Sequence, residues 1–303
     1  MKSLLLIGGT GFLGQSFFDY MNKNKSNGLR LSKIIIISRK RKKIKSKIKK
    51  SFIVKNITDI KKIPITDYII YAANSSNNNE NLRGIYNFIN LLKEVHKKTK
   101  ILFTSSGAVY GLGKTKKKFK ENEKISIKKV SNLKGYKKDY AKSKIIMENE
   151  FQRLAKKGFN ISIARLFSFI GKRILINNNF AVTNLINQAK NLNTNKLQLN
   201  SSNNVYRGYL NADDLVRWLI KILINSSTKC NIYNVGSDEA ISIKNLAGMI
   251  ADRFNKSVSI NNKKSIKDDF DFYIPSIIKV KKELNLKVKF KIKKSLNQLL
   301  NFK

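Results

Sequence analysis

The chain has 303 residues, enough to bury one large core or two unequal ones. Its single cysteine, Cys230, excludes an internal disulfide and favours a reducing compartment; with no apolar run of membrane-spanning length, a cytoplasmic protein without an integral membrane segment is expected. The 62 Lys and Arg against 19 Asp and Glu give a formal charge of +43, but these residues are spread along the whole chain in company with Asn and Ile. That distribution reads as compositional drift on solvated faces rather than as the footprint of a specific nucleic acid, and it would draw in anionic substrates.

Lys2 to Ile7 reads as a buried strand, too short for a secretory leader. Gly8-Gly9-Thr10-Gly11-Phe12-Leu13-Gly14 follows, and Gln15 to Asn24 has helical apolar spacing (Phe17, Phe18, Met21). Strand, glycine turn and helix in this order suit a dinucleotide. Gly8 makes the turn, Gly11 leaves room for the pyrophosphate, Gly14 allows close packing of the helix, and the helix N-terminus, with Phe12 and Leu13, faces the phosphates. Ile34 to Ile37 is the second strand. Ser38-Arg39-Lys40-Arg41 follows it. The residue at this strand end meets the adenosine ribose in such a fold, and with no acid present Arg39 and its neighbours suit a 2′-phosphate, which favours NADP over NAD. Ile44 and Ile48 are spaced for one helical turn against the core.

Ser51 to Val54 is a third strand, with Asn56 and Ile57 placed to lie beside the adenine, and Asp67 to Tyr71 is a fourth, ending at the small residues Ala72 and Ala73. Asn74 to Asn81 reads as a polar loop, and Leu82 to Lys98 as an amphipathic helix with His96 on its surface. No Cys/His cluster suggests a metal. Ile101 to Phe103 is a fifth strand, running into Ser106. After a basic loop, Tyr140 and Lys144 stand one helical turn apart on one face. An ammonium close to a phenol favours the phenolate, and such a pair can take a proton from a sugar hydroxyl while hydride leaves for a nicotinamide. Phe180 to Ala189, Leu215 to Ile224 and Ile243 to Phe254 read as further helices, with Trp218 in the core; Lys114 to Lys120 and Lys128 to Gly135 read as solvated loop.

Together with Ala164-Arg165-Leu166-Phe167, Arg207-Gly208-Tyr209-Leu210 and Tyr233-Asn234-Val235-Gly236, these motifs resemble the NAD-dependent epimerase/dehydratase family, the nucleotide-sugar branch of the extended short-chain dehydrogenases. The resemblance implies an α/β fold: a Rossmann-type doubly wound parallel sheet with a smaller C-terminal substrate-binding domain. It assigns residues 1–173 and 208–236 to the dinucleotide domain, and 174–207 and 237–303 to the substrate domain. It makes Tyr140 the general base and acid, with Lys144 on the nicotinamide ribose and Ser106 on the sugar oxygen. Arg207 would meet the diphosphate, and Ser168 stands in the substrate half where the family's epimerases usually have asparagine. It also implies a homodimer through the helices at 82–98 and 140–157.

Gly107-Ala108 replaces the Asp-Glu pair of the sugar 4,6-dehydratases, which disfavours dehydration. The expected activity is therefore oxidation and reduction at C4 of a nucleoside-diphosphate hexose, as a 4-epimerase or, in the alternative, a 4-keto reductase of deoxysugar synthesis. A basic nucleic-acid or anionic-membrane binding protein on the same fold is the reading of another class, and the intact Ser106, Tyr140 and Lys144 argue against it.

Overall fold

Four consecutive apolar residues, Leu4 to Ile7, leave no polar face on the first strand, so it needs cover on both sides. The computed structural model describes residues 2–24, 28–176, 180–199, 204–260 and 270–301. From β1 (Lys2–Ile7) the chain passes through α1 (Phe12–Lys23), β2 (Leu31–Ser38), β3 (Lys49–Val54), β4 (Tyr68–Tyr71), α2 (Asn78–Asn90), β5 (Lys100–Ser106), a short α3 (Ile127–Val130), α4 (Tyr136–Lys156) and β6 (Asn160–Leu166). It continues through β7 (Phe169–Ile170), α5 (Ala181–Lys190), β8 (Lys196–Leu199), β9 (Val205–Arg207), β10 (Leu210–Asn211), α6 (Ala212–Ile224), β11 (Asn231–Val235), β12 (Ile241–Ser242), α7 (Ile243–Arg253), β13 (Ser257–Ile260), β14 (Asp271–Tyr273), α8 (Ile278–Leu284) and α9 (Ile292–Leu300).

The main sheet has seven strands in the order β3-β2-β1-β4-β5-β6-β11, every pairing parallel. The strand order reverses between β1 and β4, which opens a crevice at the carboxyl ends of the strands. Side-chain alternation along β1 feeds two cores: Leu4 and Leu6 join Phe17, Phe18 and Trp218 under α1 and α6, while Leu5 and Ile7 join Phe88, Met147 and Phe151 under α2 and α4. Trp218 is fully buried, as its spacing implies. A third cluster, including Leu185, Leu197, Leu246 and Leu296, ties α5, β8, α7 and α9 together on the far side of the crevice. The C-terminal chain returns to the first core, where Ile277, Val280 and Leu284 pack.

The local reading needs several corrections. Ile44 and Ile48 form no helical turn: the Asn22 side chain donates to the Lys45 carbonyl (2.9 Å) and accepts from the Lys47 amide (3.0 Å), holding this stretch open along α1. The helix expected over Leu82 to Lys98 starts earlier and stops earlier. Asn77 caps it by accepting from the amides of Asn79 and Glu80, and a separate 3₁₀ turn covers Glu94–Lys98. His96 is not a surface residue but 2% exposed. Its Nδ1 accepts from the Lys93 amide (2.9 Å) and its Nε2 lies 3.2 Å from the Ile63 carbonyl, so it pins the turn to the loop before β4. The two stretches read as solvated loop contain the last three residues of α3 and the buried Phe119, Val130 and Leu133, which form a small core with Tyr110 and Phe167.

Candidate active site

A cleft of about 2270 Å³ runs along the carboxyl ends of β1, β2, β4 and β5 and extends to the wall made by β9 and β14. Apart from Gly14, every residue that the sequence reading placed at the cofactor or substrate lines it. Gly8 has φ +86°, and a Cβ there would lie 2.7 Å from the Ala72 carbonyl oxygen, so the turn runs against the end of β4. Gly11 faces the open cleft, with no atom closer than 3.4 Å to the position of a Cβ. It is also the N-cap of α1 and carries no side-chain cap, so the first amides of the helix are free to meet an anion. Gly14 packs against the backbone of Gly9, 2.2 Å from its carbonyl oxygen at the Cβ position, and thus holds the turn together from behind. Gly14→Ala is expected to cost roughly 3 kcal/mol through this overlap and to abolish dinucleotide binding. A urea midpoint and an NADH titration check the two effects. These features fit a dinucleotide: the turn, the open glycine and the free amides lie where its pyrophosphate would rest.

At the other end of the cleft β5 delivers Ser106, which caps the following turn by accepting from the Ala108 amide (3.2 Å) while lining the cavity. Helix α4 delivers Tyr140 and Lys144 one turn apart. The Lys144 ammonium is 3% exposed, donates to the Thr104 carbonyl (3.4 Å) and sits 5.6 Å from the centre of the Tyr140 ring. Burial drives its pKa down to about 8, with the Glu148 carboxylate pulling the other way. Burial raises the Tyr140 phenol to about 12, against a hydrogen bond from Ser106 that lowers it. A phenol so held is a proton donor until further positive charge reaches it.

The charge on Lys144 fixes the pH dependence. Below about pH 8 the ammonium is present and favours the phenolate; above it the amine is neutral and that support is lost. The kcat/KM profile of the free enzyme is therefore expected to fall with an apparent pKa near 8. A profile flat through pH 9 would contradict this.

Arg207 lies at the substrate wall, where it donates to the Asp271 carboxylate (2.6 Å) and to the Tyr206 carbonyl (2.7 Å), with its guanidinium 5.5 Å from the Tyr273 ring centre. Ser168 lines the same wall. Arg39 reaches the cleft at the end of β2, but its guanidinium lies 3.6 Å from the Glu80 carboxylate, so the cation read as a 2′-phosphate site is already opposed by an acid. Asn56 donates to the same carboxylate, and Ile57 is buried beside it. Among the described residues no cluster of three or more His, Cys, Asp or Glu could hold a metal.

Four of the lining residues that sequence reasoning missed bear on the chemistry. Tyr273 and Asp271 come from β14; Glu80 lies in the first turn of α2; and Tyr136 stacks on Tyr140 with ring centres 5.7 Å apart. The Tyr273 hydroxyl lies 2.6 Å from where a Cβ on Gly107 would stand, so the position at which the dehydratases carry an acid has no room for one here. The i, i+4 spacing of Tyr136 and Tyr140 was the one local signal for any of these.

The family model described as NAD dependent epimerase/dehydratase family matches residues 4–236. UDP-glucuronic acid decarboxylase 3 of Arabidopsis thaliana is 25% identical, over 97% of this chain and 86% of its own. The dTDP-glucose 4,6-dehydratase of Bacillus anthracis, solved in complex with NAD, superposes with a TM-score of 0.77 at 17% identity, covering 99% of this chain and 96% of its own. The UDP-glucose 4-epimerase of Thermotoga maritima, solved with UDP-glucose, gives 0.75 at 17% identity, covering 98% and 96%.

Proposed function

The chain belongs to the NAD dependent epimerase/dehydratase family, and from that premise we propose that it is a nucleotide-sugar 4-epimerase, acting at C4 of a nucleoside-diphosphate hexose. The convergence of Ser106, Tyr140 and Lys144 on the cleft that begins at the glycine turn carries this reading. Gly8, Gly11, Phe12 and Leu13 would hold the pyrophosphate, with Asn56, Ile57, Ala72 and Ala73 along the adenosine half. A bound nicotinamide would supply the hydride acceptor and donor. Tyr140 takes the proton of the C4 hydroxyl and later returns it. Ser106 holds that oxygen, Lys144 keeps the phenolate favourable, and Arg207 and Ser168 position the sugar nucleotide.

A 4-keto reductase would use the same groups for the return step alone. The feature that favoured it, a free Arg39 for NADP, is weakened by the pairing with Glu80. The absence of room at Gly107 for an acid speaks against dehydration. In the same reading residues 1–173 and 208–236 form the dinucleotide domain and 174–207 with 237–303 the substrate domain; residues 177–179, 200–203, 261–269 and 302–303 of the latter lie outside the described residues. The chain pairs as a homodimer through α2 and α4, and it serves polysaccharide synthesis in the cytoplasm. No helix among the described residues is long and apolar enough to cross a membrane.

The test is to incubate the protein with UDP- and dTDP-hexoses and follow the sugar by NMR. Inversion at C4 to an equilibrium mixture, with no net consumption of coenzyme, is expected. One NADPH oxidised per 4-keto sugar would replace the epimerase with the reductase. Release of CO₂ from UDP-glucuronate, the substrate in the name of the plant relatives, would replace both.

A further inference from the structure

The strand end that meets the adenosine ribose carries no acid, yet a carboxylate stands at this corner of the cleft. It arrives from α2, beyond β4. One oxygen of Glu80 accepts from the Asn56 side-chain amide, which follows β3, and the other lies 3.6 Å from Arg39, which follows β2. A single carboxylate thus touches the residues after both strands that border the adenosine end. Its side chain is 24% exposed against 58% for Arg39, so its charge is less screened by salt than that of the basic rim. The contact to Arg39 is long and involves one oxygen, which leaves lone pairs on the carboxylate for a hydroxyl donor.

We propose that Glu80 is the residue that selects NAD over NADP, replacing from α2 the acid that the end of β2 lacks. The inference rests on the dinucleotide reading of this cleft. A ribose 2′-hydroxyl can donate to Glu80. A 2′-phosphate brings a charge of −1.5 to −2, typical of a phosphate monoester at neutral pH, toward a carboxylate that cannot donate to it. Hydrogen bonds from Ser75 and Asn56, with Arg39 and Arg83 behind them, hold the carboxyl below its usual range, so it is ionised at neutral pH. Arg39, already facing Glu80, attracts a phosphate less than a free guanidinium would.

NADH and NADPH are titrated into protein stripped of bound nucleotide, at about 0.15 M salt, the physiological ionic strength, and read by nicotinamide fluorescence. The native chain is expected to bind NADH about tenfold or more tightly than NADPH. Glu80→Gln is expected to shift that ratio about tenfold toward NADPH. Arg39→Gln, at an exposed position, is expected to weaken NADPH more than NADH. Tighter NADPH than NADH in the native protein would overturn the proposal, as would a ratio unmoved by Glu80→Gln. Binding of neither coenzyme by folded protein would overturn the dinucleotide reading itself, a failure distinguishable because both titrations are then flat.

Discussion

Tyr140→Phe is expected to lower turnover of the sugar nucleotide by about 10²- to 10⁴-fold, the range of a lost general acid–base group, with coenzyme affinity unchanged. The substitution removes one oxygen and keeps the ring that stacks on Tyr136 and lies under the Lys144 ammonium. A fall in kcat with KM unmoved would mark an interaction made only in the transition state. Activity within tenfold of native would remove Tyr140 from the chemistry and leave Tyr273, the other phenol against Ser106, as the group to test.

The second large effect lies behind the site. Glu148 and Arg165 form a buried bidentate pair, with Arg165 Nη2 to Glu148 Oε2 at 2.7 Å and the two side chains 4% and 5% exposed. Ser105 donates to the same carboxylate at 2.5 Å, and Arg165 donates to the Tyr110 hydroxyl at 2.8 Å, which in turn donates to Asn234 (2.8 Å). The network therefore links β5, α4, β6 and β11. Glu148→Ala strands a guanidinium that cannot deprotonate and is expected to cost about 3–5 kcal/mol. It should appear as a lower urea midpoint at unchanged m-value. Replacing Glu148 and Arg165 together by Met should recover most of that loss, because no buried charge is then left unpaired. Glu148 also raises Lys144, so Glu148→Gln should move the alkaline limb of kcat/KM to lower pH. A limb that stays near pH 8 would separate Glu148 from the site.

What could be read from the sequence was local. Gly8 to Gly14 lies within one turn, and Tyr140 with Lys144 lies within one helical turn, so spacing alone put their groups together. The apolar runs of β1 and β2 marked strands covered on both faces, while the doubly wound parallel sheet followed from the family resemblance of the motifs. His96 was misread because the carbonyl that buries it belongs to Ile63, 33 residues earlier in the chain. Glu80 was missed for the same reason: Arg39 and Asn56 meet it only after β2, β3 and β4 have aligned. Tyr273 belongs to a three-residue strand paired with β9, too short for a period to show. Phe119 sits in a run of lysines, and its burial depends on a bridge to Pro275 at the other end of the chain.

The two borders of the seven-stranded sheet give the lysine excess a meaning that needs no polyanion. At one border β3 carries Lys49 and Lys50, and at the other Lys279 donates to the Ile232 carbonyl of β11 at 2.9 Å. An open parallel sheet ends in edge amides and carbonyls that a second molecule could extend, but at β11 the Glu121 carboxylate already accepts from the Asn234 amide at 2.9 Å. Charged side chains at a sheet border make the addition of a further strand unfavourable, so part of the lysine excess is expected to disfavour self-association along the sheet.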